Sequence, residues 1–459
     1  MMETFDLDSI IHSEEQEIQS VMDRMNYTAQ FTENKGFAII INKNGVCLGV
    51  VTDGDLRNYL VKNGNLKTPV AHVLNQEFIS VTIGEDTNSI LRKFELDIQV
   101  LPVLDEDKKP VGIIKYSQFS ILQNSSQWIY RARVPGRISF SGGGTDMSSV
   151  FNENPTAVLS NTLNKFCTTS LMIRPDDKIH IYSKDLKLDY QADNLGKLGF
   201  GDELDLIKMA ILKMRPNVGF DIEISSEIEI GTGLGGSSAA VVSVLSVLNE
   251  INNEKKLDDY EIANLAYQVE RIDMGLSGGW QDQYSTVFGG FNWIEFSNDG
   301  ILVNPLRINE DVLLELDYNL LLFRVGNTRK SAEIHNVKNK LQSDDKYFSE
   351  MLKNTINMKK ALLRGKVREF GDLLDYSWQL KTKMNSAVTN TFVEELYNSA
   401  RNKGALGGKL LGAGQSGYLL IYSSPKYHED IISKFSDQGV VPINFNFNPK
   451  GVEVWKTLI

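Results

Sequence analysis

Glu229-Ile-Gly-Thr-Gly-Leu-Gly-Gly-Ser-Ser-Ala-Ala240 is the stretch on which the reading of this chain turns. It follows an alternating run, Phe220-Asp-Ile-Glu-Ile224, whose period of two predicts a strand with one buried face. It leads into the apolar run 239–248, long enough for a buried helix. Glycines at 231, 233, 235 and 236 permit turns closed to other residues and a close approach to a ligand. Ser237 and Ser238 fall where the helix begins, with free N–H groups and the positive end of the dipole facing outward. Gly231, Thr232, Gly233, Leu234, Gly235, Gly236, Ser237 and Ser238 thus form a cradle suited to a polyphosphate. No lysine follows the glycines, so the loop is not of the Walker type.

The 459 residues leave room for two to four domains, and a net charge of −11 argues against a nucleic-acid partner. Cys47 and Cys167 lie far apart in apolar contexts and read as core thiols of a reducing compartment. The five histidines show no metal-ligand spacing. The start, Met1-Met-Glu-Thr-Phe-Asp-Leu-Asp8, lacks a signal-peptide core, and no apolar run approaches the length of a membrane span. The expectation is a cytoplasmic protein with no membrane partner.

Residues 1–122 contain a short repeat. Ile39-Ile-Ile-Asn-Lys-Asn-Gly-Val-Cys-Leu-Gly-Val-Val51 reads as strand, turn and strand, and Pro102-Val-Leu-Asp-Glu-Asp-Lys-Lys-Pro-Val-Gly-Ile-Ile114 repeats it, with Gly49 recurring as Gly112. A helical segment precedes each hairpin and a short one follows. The repeat resembles a tandem pair of CBS domains. The first copy carries Gly49-Val-Val-Thr52-Asp-Gly-Asp55, where the resemblance implies that Thr52 and Asp55 hold the ribose of an adenine nucleotide. The second reads Gly112-Ile-Ile-Lys115-Tyr-Ser-Gln118 and lacks both polar positions, so one nucleoside site at most is intact. The alternative is a docking or dimerising module, and CBS pairs often form homodimers.

A polar linker, 123–127, precedes a new domain that begins near Trp128. Strands and helices then alternate without the period of a doubly wound sheet, which predicts an α+β fold. A first lobe spans 128–315. A second spans 316–459, with a helical stretch over 331–402 and strands around 418–422 and 440–447.

Two further glycine-rich segments flank the opening one: Arg133-Val-Pro-Gly-Arg137-Ile-Ser-Phe-Ser-Gly-Gly-Gly-Thr-Asp146 and Leu410-Leu-Gly-Ala-Gly414-Gln-Ser416-Gly-Tyr-Leu-Leu420. In this order and spacing the three resemble the motifs of the GHMP kinases, whose fold is a two-lobed α+β kinase. Arg137–Asp146 and Gly278-Gly-Trp-Gln-Asp282-Gln-Tyr-Ser-Thr-Val-Phe-Gly-Gly290 are similar in particular to the D-glycero-D-manno-heptose 7-phosphate kinases.

The resemblance implies ATP and magnesium as cofactors, with Ser237 and Glu270 on the metal, an all-oxygen set of the kind magnesium prefers. It makes Asp282 the catalytic carboxylate that takes or orients the acceptor's hydroxyl proton, with Arg137 beside it. Gly143, Gly144, Thr145, Asp146, Gln281, Gly414 and Ser416 would line the sugar site, and Arg329, with Lys330, would meet a distal phosphate on the substrate. Galactokinase-like members read Gly-Glu-His-Thr-Asp where this chain has Gly142-Gly-Gly-Thr-Asp146, which argues against galactose and for a larger or phosphorylated sugar. Many family loops have proline where Glu229 or Ile230 stands and serine at Gly236, which leaves nucleotide affinity open.

The expected reaction is phosphorylation of the anomeric hydroxyl of a heptose 7-phosphate or related sugar, feeding nucleotide-sugar synthesis for surface polysaccharide. An anomeric kinase for an unphosphorylated sugar such as fucose, and a sensor that binds nucleotide without turnover, are the alternatives.

Overall fold

The computed structural model describes residues 7–29, 36–62, 64–85, 87–94, 98–116, 128–252, 256–326 and 345–458. The chain divides into two compact units, the first essentially residues 1–126 and the second the remainder apart from 173–177.

In the first unit the internal repeat becomes two matching sheets. Strand β1 (Ile11–Ser13) pairs in parallel with β2 (Phe37–Ile41), which pairs antiparallel with β3 (Cys47–Thr52). β4 (Val81–Thr82), β5 (Val100–Leu104) and β6 (Pro110–Lys115) repeat that order and those directions. Gly49 lacks a side chain because a Cβ there would lie 2.3 Å from Asn75 O. The predicted helices before the hairpins are Ile18–Ala29 and Thr87–Phe94, and Asp53–Val61 follows the first hairpin. Their apolar faces build separate cores, Ile18, Val21, Ala38, Ile40 and Val51 in one copy and Val81, Ile90, Phe94, Leu101 and Val103 in the other.

The second unit is built on a nine-stranded sheet. β7 (Trp128–Ser141) and β8 (Thr156–Ile173) form its long antiparallel spine. β8 also borders β12 (Asn292–Ser297), which pairs with β13 (Gly300–Pro305). On the other side lie β11 (Phe220–Ser226), β9 (Ile179–Ser183) and β10 (Leu188–Ala192). The alternation read at 220–224 holds, with Phe220, Ile222 and Ile224 buried. The helix Gly236–Ile251 packs on β7 and is buried along almost its whole length, as its apolar composition requires.

A smaller sheet, β14 (Leu320–Val325), β16 (Gly417–Ser423) and β15 (Ala405–Leu410), forms the second lobe with the helices Asp345–Leu363, Val367–Met384, Thr391–Asn402 and His428–Ser436. The strand expected over 440–447 shrinks to β17 (Phe447–Asn448). Pro442 has no N–H to give a ladder, and the segment before β17 pairs with β14 through an isolated bridge, Phe323 to Pro442. β17 and β18 (Glu453–Leu458) then leave the small sheet and pair with β8 and β7. The last residues of the expected second lobe therefore complete the sheet of the first. Among the described residues, no helix is long and apolar enough to cross a membrane.

Candidate functional site

Arg137 sits on β7 and is 2% exposed. Its Nε and Nη2 donate to Asp282 Oδ1 at 2.9 and 2.6 Å, and Nη1 donates to Gly233 O at 2.5 Å. Its backbone N–H donates to Leu234 O at 2.8 Å. The first motif, the cradle and Asp282 are thereby locked together through one residue. Asp282 lies in the first turn of the helix Gln281–Phe288, where the dipole favours a carboxylate.

The cradle has the left-handed turns that its glycines permit, with φ of +77° at Gly231, +87° at Gly233 and +74° at Gly235. Gly235 caps the helix Gly236–Ile251 without a side chain, so no side chain caps the first-turn N–H groups. Thr232 turns its hydroxyl inward to Glu229 O at 2.6 Å, and the Leu234 side chain is buried. Glu229 is an anchor: its Oε2 accepts from Arg324 Nε at 3.0 Å and Nη2 at 2.9 Å.

Glu270 is fully buried in a π-helical turn, Gln268–Asp273, an irregularity often found at functional positions. Its Oε1 accepts from Ser237 Oγ at 2.7 Å, while Oε2 accepts from Ser238 Oγ at 2.6 Å and from the Gln283 amide. Arg271 Nη1 is 4.0 Å away, at the edge of an ion pair. A buried carboxylate satisfied mainly by neutral donors, with a cradle serine against it, is a donor set that fits a hard cation.

In the first-motif loop, a Cβ on Gly142 would lie 2.1 Å from Ala157 O, while Gly144, at φ +96°, faces open space. Thr145 turns inward, its hydroxyl donating to Gly142 O at 2.9 Å. Asp146, expected to line the sugar site, already accepts from Gly144 N–H at 2.9 Å on Oδ1 and from Gln281 N–H at 3.0 Å on Oδ2. It joins the loop to the start of the Asp282 helix. Burial pushes its pKa above 3.8, the Gln281 hydrogen bond opposing and the Asp282 charge adding.

Among the described residues, Ser139 Oγ and Gln281 Oε1 are buried without a hydrogen-bond partner. A Cβ on Gly143 would lie 3.0 Å from Ser139 Oγ and 3.4 Å from Gln281 Nε2. The side chain missing at Gly143 therefore leaves polar atoms unused around it.

The third motif meets the cradle through Gly412 and Gly417, whose Cβ atoms would lie 2.3 Å from Gly233 Cα and from Thr232 O. Of the residues expected to line the sugar site from this motif, Gly414 abuts Val388, and Ser416 Cβ stands beside Gly326. Two lysines that sequence reasoning missed complete the cluster. Lys381 Nζ donates to Gly412 O at 2.6 Å and Leu410 O at 3.3 Å, and the buried Lys409 donates to Phe140 O at 3.1 Å. Arg329 and Lys330 lie outside the described residues.

In the first unit, Thr52 and Asp55 face each other as a capping box on the helix Asp53–Val61. Thr52 Oγ1 donates to Asp55 Oδ2 at 2.6 Å, and the Thr52 N–H donates to the same oxygen at 2.8 Å.

Known families and proteins are similar to this chain. The GHMP kinase N-terminal and C-terminal domain models match residues 205–290 and 358–441, and a CBS domain model matches 70–119. The chain is 33% identical over 336 residues to D-glycero-alpha-D-manno-heptose 7-phosphate kinase of Campylobacter jejuni, covering 71% of this chain and 98% of the relative. It is 26% identical over 332 residues to L-fucokinase/L-fucose-1-P guanylyltransferase of Bacteroides fragilis, covering 64% of this chain and 34% of that protein. The crystal structure of a D-glycero-D-manno-heptose 1-phosphate kinase from Bacteriodes thetaiotaomicron superposes with a TM-score of 0.61 at 28% identity, over 72% of this chain and 100% of the other. The chain belongs to the GHMP kinases. It is a sugar kinase, a phosphotransferase with an alcohol acceptor, carrying a CBS domain at its N-terminal end.

Proposed function

We propose that this kinase transfers the terminal phosphoryl group of ATP to the anomeric hydroxyl of a heptose 7-phosphate or a related sugar phosphate, for nucleotide-sugar synthesis. The observation that carries the reading is the Arg137–Asp282 pair, held on the cradle by Gly233 O and beside Asp146. Phosphoryl transfer asks a protein mainly for position and charge. The uncapped N–H groups of the Gly236–Ile251 helix and the turns at Gly231–Gly235 would hold the phosphates. Ser237 and Glu270 would hold magnesium, which when bound neutralises charge on the phosphate oxygens. Asp282 takes the acceptor's hydroxyl proton while Arg137 fixes its orientation. The unused Ser139 and Gln281 atoms around Gly143 supply hydrogen bonds for a sugar hydroxyl, in the place where a glutamate would exclude a larger sugar.

The test is transfer from ATP across a panel of sugars and sugar phosphates, with product position read by phosphorus NMR. Wild type should favour a heptose 7-phosphate, and Asp282→Asn should lose roughly 100-fold or more in kcat. Unchanged turnover in Asp282→Asn would remove the assigned role. The likeness to the fucokinase supports one second reading, an unphosphorylated sugar such as fucose, and preferential turnover of fucose in the same panel would select it.

A further inference from the structure

The Asp146–Asp282 cluster holds more positive charge than the chemistry above uses. Arg137 and Lys381 reach one backbone junction from opposite lobes. Arg137 Nη1 donates to Gly233 O, and Lys381 Nζ donates to Gly412 O, at the point where these two glycines touch. Lys409, on β15, stands behind them with its ammonium on Phe140 O. Arg137 and Lys381 share these surroundings with two carboxylates, Asp146 and Asp282. Asp146 has given each oxygen to a backbone N–H, and Asp282 Oδ1 is taken by Arg137.

A buried ammonium is unfavourable alone and is relieved by an anion. Burial and, after it, the Arg137 charge lower Lys381 and Asp146 and Asp282 oppose, which brings it to about 8. Burial also holds Lys409 well below 10.5, with Lys381 and Arg137 pushing the same way. An ammonium has three donors, and the carbonyls of Leu410 and Gly412 occupy at most two.

We propose that Lys381 is a further catalytic residue, whose ammonium binds the phosphoryl group in transit at the junction of Gly233 and Gly412. The proposal rests on the kinase reading of Asp282. In the step, the bond from the terminal phosphorus to the ADP oxygen breaks and the bond to the sugar oxygen forms. The hydroxyl proton passes to the Asp282 carboxylate. Lys381 keeps its proton throughout and offsets charge on the oxygens of the moving group, as a point charge suited to phosphate. The moving group is favoured over a distal phosphate of the sugar because Lys381 meets, at the Gly233–Gly412 junction, the same Arg137 that holds Asp282, where the acceptor hydroxyl must lie.

Calorimetry with magnesium and either ADP or AMPPNP tests this without a sugar. In Lys381→Met, AMPPNP affinity should fall tenfold or more while ADP affinity changes less than twofold. Unchanged affinity for both nucleotides, or a parallel loss of both, overturns the proposal. Should Lys381→Met fail to fold, Lys381→Arg carries the test through pH. Wild-type AMPPNP affinity should decline as pH rises through about 8, where Lys381 loses its proton, and the arginine variant should keep its affinity to higher pH. The same decline in both proteins overturns the proposal. In the sugar panel, the alkaline limb of kcat/KM should move in the same way. Absence of transfer to any sugar would count against the acceptor reading, while the AMPPNP comparison would still decide the role of Lys381.

Discussion

Gly279→Ala adds one methyl group where the segment before the Asp282 helix crosses Asp146. Built on the existing backbone, its Cβ lies 2.1 Å from Asp146 Oδ2, 2.4 Å from Cγ and 2.7 Å from the Asp146 carbonyl oxygen. An ordinary contact needs more than roughly 3.2 Å, so about 1 Å of movement is forced. Asp146 cannot yield freely. It is buried and held by Gly144 and Gln281, and its carbonyl accepts from Trp280 N–H at 3.1 Å. The displacement must pass to Asp146 or along the three residues to Asp282. A misplacement of this size costs on the order of 100-fold in rate, about 2.7 kcal/mol.

The assay is kcat with separate KM values for ATP and sugar, beside a melting curve. The expectation is a kcat about 100-fold lower, a raised sugar KM and an ATP KM within about threefold, because the cradle is untouched. Gly275→Ala is the control. Its φ is +64° and no atom lies within 4 Å of its Cβ, so it should cost about 1 kcal/mol of backbone strain and little activity. Wild-type kcat and melting in Gly279→Ala would refute the reasoning that Asp146 and this segment fix the position of Asp282.

Three further outcomes are expected. Glu270→Gln should raise the magnesium concentration needed for half-maximal activity by roughly tenfold or more without lowering the metal-free melting temperature, since it neutralises a buried carboxylate; an unchanged magnesium dependence would count against the metal assignment. Asp55→Ala removes a capping box, costing about 1 kcal/mol in the first unit, and should abolish any response of the kinase rate to adenine nucleotides; an identical response in both proteins would exclude that site. Burial opposes ionisation of Glu85, but Lys93, Ser89 and the Thr82 N–H outweigh it and bring its pKa to about 2. The unfolded carboxyl takes up protons first, so this stabilisation is present above about 4.5 and is lost as pH falls towards 2. Lys93→Met should flatten that acid dependence, read by hydrogen exchange in the first unit.

Local patterns made the cradle legible. The alternating Phe220–Ile224 run, the glycines and the apolar run after them specify strand, turn and buried helix with few long-range contacts. The first-unit repeat was legible for the same reason, as each copy is a hairpin with adjoining helices. Asp282 and Arg137 were found by resemblance, and the structure brings them together from positions 145 residues apart. Lys381 and Lys409 carry no such signal. One lies on a helix, where lysine ordinarily points to water, and the other interrupts the run Ala405–Leu410; only tertiary packing buries their ammonium groups. Periodicity likewise could not show that Pro442 would curtail one strand, or that residues 453–458 would cross back to β7.

That return has a practical consequence for handling the protein. β18 covers one side of β7 from Glu453 opposite Arg133 to Leu458 opposite Trp128, and Arg133 Nη2 closes the start of the ladder on Glu453 at 2.5 Å. Shortening the chain after Asn448 would expose a row of unpaired N–H and C=O groups on the strand that also carries Arg137. A free edge of this kind invites pairing with another molecule. A shortened protein should therefore form aggregates or strand-exchanged oligomers before its active site fails, so bulky additions are better placed elsewhere than against this final strand.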